Sequence, residues 1–371
     1  MHRTIRSWTR RTCAAGLFVL VVTEGATAQQ PRITGARFQQ RTVSAGLQRE
    51  FNAIVGAEAG PAWIGYSVPV VPVERVLCCS GGSTDVQTDA GACDPCALED
   101  RHASTTAGPI DPAAVRLEGA QSVLVLFRVE GRKVGSVRVF SDDCPLDGGG
   151  LPFIWLTGVR PSDSVGLLSA LVAGAGVLAG VEDRVSRSVV TAIGLHDDPS
   201  AVAALQRFVA PGQPLSLRKH AAFWLGSARG RQGFDILRAL MHDEPSAAFR
   251  KDLVFPIAES PVPESVPLLI QVARDDTSAD VRGQALFWLA QKAGVKAIGT
   301  LTGAIDHDPD TEVKKRAVFG LSRLPKGEGV PLLIDVARNN RNAAVRTQAM
   351  FWLGQSKDPR ALAFFEQILT R

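Results

Sequence analysis

At 371 residues the chain exceeds the usual size of one domain, so two or more structural parts are expected. Its composition, 45% hydrophobic and 21% charged, is ordinary for a globular protein. The formal charge of +4 gives no support to a nucleic-acid partner. Arg3, Arg6, Arg10 and Arg11 against Glu24 place +3 of that charge in the first 28 residues, and the remainder is close to neutral.

Those arginines precede the apolar run Ala14–Val22, and Ala26-Thr27-Ala28 forms a small-residue cleavage site. Residues 1–28 therefore read as a secretory signal peptide, and export to the periplasm or the medium is expected. The apolar run is about half of what crosses a bilayer, so no membrane span is expected.

Residues 29–60 are polar, without a sustained period, and are expected to form a mobile arm. From residue 61 to 160 a β-rich module is expected. AWIGYSVPVV, SVLVLFRV, VGSVRVF and FIWL read as strands, and Val123, Val125, Phe127 and Val129 alternate as in a hairpin with one buried face. A Gly/Ser/Asp-rich loop of about residues 80–121 is too long for a simple connection. Five cysteines outside the leader sit in this module: Cys78, Cys79, Cys93, Cys96 and Cys144. An exported chain meets an oxidising compartment, so all five are disulfide candidates, with Cys78 or Cys79 to Cys93 or Cys96 closing the loop. Two other readings compete. Cys78, Cys79, Cys93 and Cys96 could offer four thiolates to zinc, although adjacent cysteines suit a tetrahedral site poorly. Cys93-Asp94-Pro95-Cys96 could be a redox pair, but no βαβ pattern surrounds it. A structural clip is preferred, with no metal and no cofactor.

The stretch RPSDS reads as a turn, and the uncharged run 165–180 as a capping helix within a segment 161–184. Beyond it the chain repeats every 32 residues. VRGQALFWLA at Val281 is matched by VSRSVVTAIG at Val185, LRKHAAFWLG at Leu217, FRKDLVFPIA at Phe249, VKKRAVFGLS at Val313 and VRTQAMFWLG at Val345. Six copies without an insertion mean stacked helix-turn-helix units over residues 185–371. Leu205, Leu237, Leu269, Leu301, Leu333 and Phe365 form one apolar column of the second helices; Ile193, Leu225, Ile257, Leu289, Leu321 and Leu353 form one of the first. Ser246, Ser278, Asp310 and Asn342 stand where helix N-caps are needed. Arg218, Arg250, Arg282, Lys314 and Arg346 form a basic column that acidic turns precede, and this reads as a ladder tying turns together. Trp224, Trp288 and Trp352 alternate with Pro256 and Gly320, a 64-residue period in which each ring fills space left by its neighbour.

The pattern of acidic turn, cap, V-R-x-x-A-x-x-x-L-G, turn and VPxLI resembles HEAT-type repeats, particularly the short bacterial kind also seen in phycobilin lyases. The resemblance covers residues 185–371 and not the cysteine-bearing part. It implies a mostly α fold: a two-layer right-handed α-solenoid of six 32-residue repeats, preceded by the small β-rich module. It also implies that the second helices line a concave, protein-binding surface.

Chemistry is sparse. The sequence lacks HExxH, GxSxG and a phosphate loop, and no His-Glu dipeptide supplies the metal ligands of hydroxylases built from such repeats. His196-Asp197, His242-Asp243 and His307-Asp308 read as turn residues. The expected function is therefore a non-enzymatic, exported scaffold that binds another protein. The variable second-helix positions Gln206, Arg207, Arg238, Gln271, Thr302, Asp335, Glu366 and Gln367 are the candidate contacts. The alternative is a redox or metal module at Cys78, Cys79, Cys93 and Cys96 that the solenoid only positions. Phe223, Phe255, Phe287, Phe319 and Phe351 recur in five first helices, and about 100° per residue turns Phe287 away from the stripe of Val281, Ala285 and Leu289. These rings either fold over the groove between adjacent first helices or form a convex aromatic ridge. They are expected to be more exposed than the Leu205–Phe365 column.

Overall fold

The computed structural model describes residues 30–72, 76–79, 96–99, 105–108 and 121–370 except 175 and 179, with 76–79 and 105–108 in backbone only. The expected signal peptide, Cys93 and most of the 80–121 loop lie outside the described residues.

Residues 29–60, expected as a mobile arm, hold regular structure instead: β1 (Ile33–Thr34), β2 (Arg37–Thr42) and α1 (Leu47–Ala57). Leu47, Phe51, Ile54 and Val55 are buried and lie on one helical face, a short amphipathic signal hidden in polar surroundings. The module continues with β3 (Ala62–Pro69), β4 (Val76–Cys79), β5 (Cys96–Ala97), β6 (Thr105–Gly108), β7 (Ser122–Glu130), β8 (Lys133–Ser141), β9 (Leu146–Asp147) and β10 (Pro152–Thr157). The main sheet runs β2-β10-β3-β7-β8. Its β2, β10 and β3 are parallel, and β3, β7 and β8 are antiparallel. Gly131 and Arg132, both at positive φ, close the β7–β8 hairpin in two residues.

The hairpin was expected to bury one face, but β7 is buried on both. Val123, Val125, Phe127 and Val129 face a core shared with the helices. Leu124 and Leu126 face a second core with Trp63, Phe140, Phe153, Trp155, Cys96, Leu98, Cys144 and Leu146. A strand apolar at consecutive positions fits this double burial better than an alternating one.

The RPSDS stretch is not a turn. Pro161 opens α2 (Pro161–Val172), where its missing N–H costs nothing, so the capping helix begins and ends earlier than 165–180. Helical pairs follow: α3 (Glu182–Leu195) and α4 (Pro199–Val209), α5 (Leu215–Ala228) and α6 (Gly230–Asp243), α7 (Ala247–Glu259) and α8 (Ser265–Asp275). Then come α9 (Ala279–Ala293) and α10 (Ile298–His307), α11 (Thr311–Ser322) and α12 (Val330–Asn339), α13 (Ala343–Gly354) and α14 (Pro359–Leu369). Each first helix packs on the next, α3 on α5, α5 on α7 and so on to α13.

Side chains of Ser246, Asp310 and Asn342 cap α7, α11 and α13. Ser278 makes no side-chain cap, although its N–H donates to the Asp276 carboxylate as the equivalent N–H groups do in the other turns. A second column, Gly194, Gly226, Ala258 and Ala290, is small in successive units and faces the Trp/Pro/Gly column of the next first helix: a Cβ on Gly194 would lie 2.3 Å from the Trp224 ring, and one on Gly226 only 2.1 Å from the Pro256 carbonyl oxygen. First helices thus approach closely where the preceding helix carries no side chain.

Candidate functional site

Second helices expose the columns between their core positions. Gln206, Arg207, Arg238, Gln271, Asp335, Glu366 and Gln367 are exposed and Thr302 is half-buried, while Leu205, Leu237, Leu269, Leu301 and Leu333 are buried. Two grooves open between successive second helices. One, about 590 Å³, lies between α6 and α8 and is lined by Arg238, Leu268, Gln271 and His242 among others. The next, about 500 Å³, lies between α8 and α10 and includes Arg274, Gly303 and His307. The structure thus brings Arg238 and Gln271 to one groove. Asp235, which the sequence reading passed over, shares that groove and pairs with Arg238 at 3.1 Å. Its spacing of three from Arg238 on a helix was the available signal.

The turns that follow these second helices, at the same end as the grooves, are tied by ion pairs. Arg218 meets Glu244, Arg250 meets Asp276 and Arg282 meets Asp308, each pair nearly buried. Arg250 and Arg282 also donate through Nη1 to the carbonyls of Glu244 and Asp276 in the preceding turn. Each carboxylate in turn accepts a backbone N–H from Ser246, Ser278 or Asp310. Every acidic group is thereby engaged by the fold, which leaves these arginines unavailable to an outside anion.

On the first-helix side, Phe223, Phe255, Phe287 and Phe319 are half-buried and Phe351 is 52% exposed. Their rings are linked across helices. Phe223 stacks on Phe255, Phe255 leans on Trp288, Phe287 stacks on Phe319, and Phe319 leans on Trp352, with centroids 4.5–6.0 Å apart. The rings therefore lie across the grooves between first helices, and only Phe351 projects as a freely exposed ring.

A buried polar chain joins the module to the first helical pair. The Nδ1–H of His196 donates to the Ala192 carbonyl at 2.6 Å, which leaves Nε2 to accept from the Ser164 hydroxyl at 2.8 Å. Ser164 then accepts from the Tyr66 hydroxyl at 2.7 Å. Burial pushes the His196 imidazole down to about 4 and the Tyr66 phenol well above its ordinary value. Arg229 donates to the carbonyls of Ile193, Gly194 and His196 at the end of α3; burial lowers it to about 10 against the charges of Asp197 and Asp198. All three members of the Tyr66–Ser164–His196 chain are buried, so a substrate has no path to them, and their role is to seal the seam.

Cys96 and Cys144 are buried and disulfide-bonded. The segment holding Cys96 is pinned to the sheet by Glu99, which accepts from Trp63 Nε1 at 2.8 Å and pairs with Arg128. Cys78 and Cys79 are described in backbone only, on β4 paired with β6. Among the described residues no three His, Cys, Asp or Glu side chains gather as a metal site, and no helix is long and apolar enough to cross a membrane. The His-Asp dipeptides stay apart: His196 is buried, His242 bonds its own neighbour Asp243, and His307 lines the second groove.

Residues 298–371 match the family model for HEAT repeats. The chain is also similar to three solved structures. One is the complex of CpcE and CpcF of phycocyanin lyase from a Nostoc species, at 22% identity over 43% of this chain and 100% of that chain, TM-score 0.34. Another is the YibA protein of Escherichia coli, at 20% identity over 49% of this chain and 67% of that one, TM-score 0.34. A third is human deoxyhypusine hydroxylase in complex with glycerol, at 14% identity over 56% of this chain and 76% of that one, TM-score 0.28. No curated protein matches the chain significantly.

Proposed function

We propose that this protein is a non-enzymatic scaffold whose HEAT array holds another protein along its second-helix face. Six 32-residue units forming a right-handed solenoid would present that face as one concave surface. The observation that carries the proposal is the pair of open grooves between α6, α8 and α10, lined by side chains that vary from unit to unit over an invariant apolar core. Residues of that kind are free to specify a partner without altering the fold. The leader at residues 1–28 supports export, and the disulfide bonding of Cys96 and Cys144 suits an oxidising compartment.

The test is capture from a native envelope fraction by the immobilised chain and by Arg238→Glu and Glu366→Lys variants. Both positions are exposed, so melting should stay within about 0.5 kcal/mol of the parent. Loss of the captured protein at unchanged melting supports the second-helix face. Equal capture by both variants removes it. The redox or metal alternative at Cys78, Cys79, Cys93 and Cys96 is checked by metal analysis and free-thiol counting. Bound zinc, or a readily reducible pair, would favour it.

A further inference from the structure

The two grooves between second helices are built from the same positions and lined by different side chains. Met241, Leu268, Gln271 and Val272 line the first; the residues 32 positions on, Ala273, Thr300, Gly303 and Ala304, line the second. Every replacement is smaller, and Gly299 joins the lining one helical turn before Gly303, so α10 presents its backbone to the groove there. The fold asks for glycine at neither position. Neither has a positive φ, and a Cβ on either would meet nothing within 4 Å. Gly303, in mid-helix, therefore weakens α10 without relieving any crowding inside the array. What glycine permits at such a place is a close approach to the backbone from outside.

Two polar side chains at this groove point to what approaches. Thr300 is 5% exposed and lines the groove, yet among the described residues nothing hydrogen-bonds its hydroxyl. Other helical threonines of the array satisfy themselves: Thr302, Thr347 and Thr370 each donate to the carbonyl four residues back. A group that enters the groove can meet the Thr300 hydroxyl and recover the cost of its burial. Arg274 is exposed on the facing helix and meets no carboxylate among the described residues, whereas Arg282, also lining the groove, is engaged by Asp308.

We infer that the α8–α10 groove receives a tyrosine of the partner protein, with an acidic residue beside it. The ring lies flat over Gly299 and Gly303, its hydroxyl pairs with Thr300, and the carboxylate pairs with Arg274. Tyrosine is the side chain that joins a large flat apolar surface to a hydroxyl at its far end. The acid follows from charge complementarity, because the Arg282 charge is compensated within the fold and that of Arg274 is not. The inference rests on the second-helix face being the partner surface, and it names what one groove of that face selects.

The probe is the peptide acetyl-Glu-Tyr-Glu-amide, whose ring protons are followed by NMR as the full chain is added. Saturable, weak binding is expected. Phenylalanine in place of the tyrosine should weaken it about fivefold, and Thr300→Val should remove that preference. Arg274→Gln should weaken binding about threefold, with little further loss when both glutamates of the peptide are changed to glutamine. Gly303→Leu should abolish binding without lowering the melting temperature, since a Cβ there meets nothing. No saturable binding, an unchanged tyrosine preference in Thr300→Val, or full affinity in Gly303→Leu overturns the inference. Its failure is separable from that of the scaffold reading, because Arg238 and Glu366 do not line this groove. Loss of envelope capture in Arg238→Glu and Glu366→Lys without peptide binding removes the tyrosine site alone. Peptide binding with capture unchanged in those two variants removes their contacts and leaves this site.

Discussion

The Arg282 guanidinium grips the Asp308 carboxylate two-pronged, Nε to Oδ2 at 2.7 Å and Nη2 to Oδ1 at 2.9 Å, with both side chains nearly buried. The residues lie 26 positions apart and join two consecutive turns. Arg282→Ala leaves the Asp308 carboxylate without its counter-charge at the border of the second groove and should cost about 1–3 kcal/mol. Arg346→Ala removes only bonds to the carbonyls of Asn340 and Arg341 and should cost about 1 kcal/mol or less. Chemical denaturation of the two variants checks the contrast.

The same ladder sets an acid limit. Burial acts to raise the Asp276 carboxyl, but bonds from Arg250 and Ser278 and the charges of Arg250 and Arg282 hold it below the usual carboxylate range. A carboxyl lowered in the folded state favours folding fully above its unfolded value of about 3.9 and loses that contribution as pH falls through the lowered one. Replacing Asp276 by Asn should therefore reduce the melting temperature at neutral pH. The deficit should shrink only below about pH 4.

His196 loses stability over a higher window. Its imidazole titrates near 4 in the folded chain and near 6.5 when unfolded, so the unfolded chain takes up a proton first as pH falls. Stability attributable to this group is intact above about pH 6.5 and declines down to about pH 4, by about 3 kcal/mol in all. His196→Gln keeps an acceptor for Ser164 and does not titrate. Its melting temperature should fall less steeply across that window, and parallel pH profiles would show that the seam does not behave as a neutral histidine.

Gly226 and Gly303 should respond to alanine with opposite signs. A Cβ at Gly226 meets the Pro256 carbonyl at 2.1 Å, so Gly226→Ala must push α5 and α7 apart and should cost about 1–3 kcal/mol. Gly303 sits inside α10 with open space around it, and Gly303→Ala should stabilise by about 1 kcal/mol through helix propensity. Thermal melts of the two variants decide it.

The sequence by itself determined the helical array, because each unit rests on the next and a 32-residue period records those contacts directly. The Leu205–Phe365 column and the arginine column were legible for the same reason: their partners recur at constant separation. Only the tertiary structure decided the rest. The helix at Leu47–Ala57 and the strand at Arg37–Thr42 carry little local signal. The strand is held by a register to β10 more than 100 residues away, Phe38 opposite Phe153. Leu124 and Leu126 face a second core whose cover, Leu98 and Leu146, comes from two-residue strands and turns that no periodicity announces. His196 does lie in the turn between α3 and α4, as its dipeptide suggested, but nothing local distinguished it from the unburied His242 and His307. Its burial depends on Ser164 and Tyr66, brought to it by α2 and β3, and pairing over such distances leaves no repeat to read.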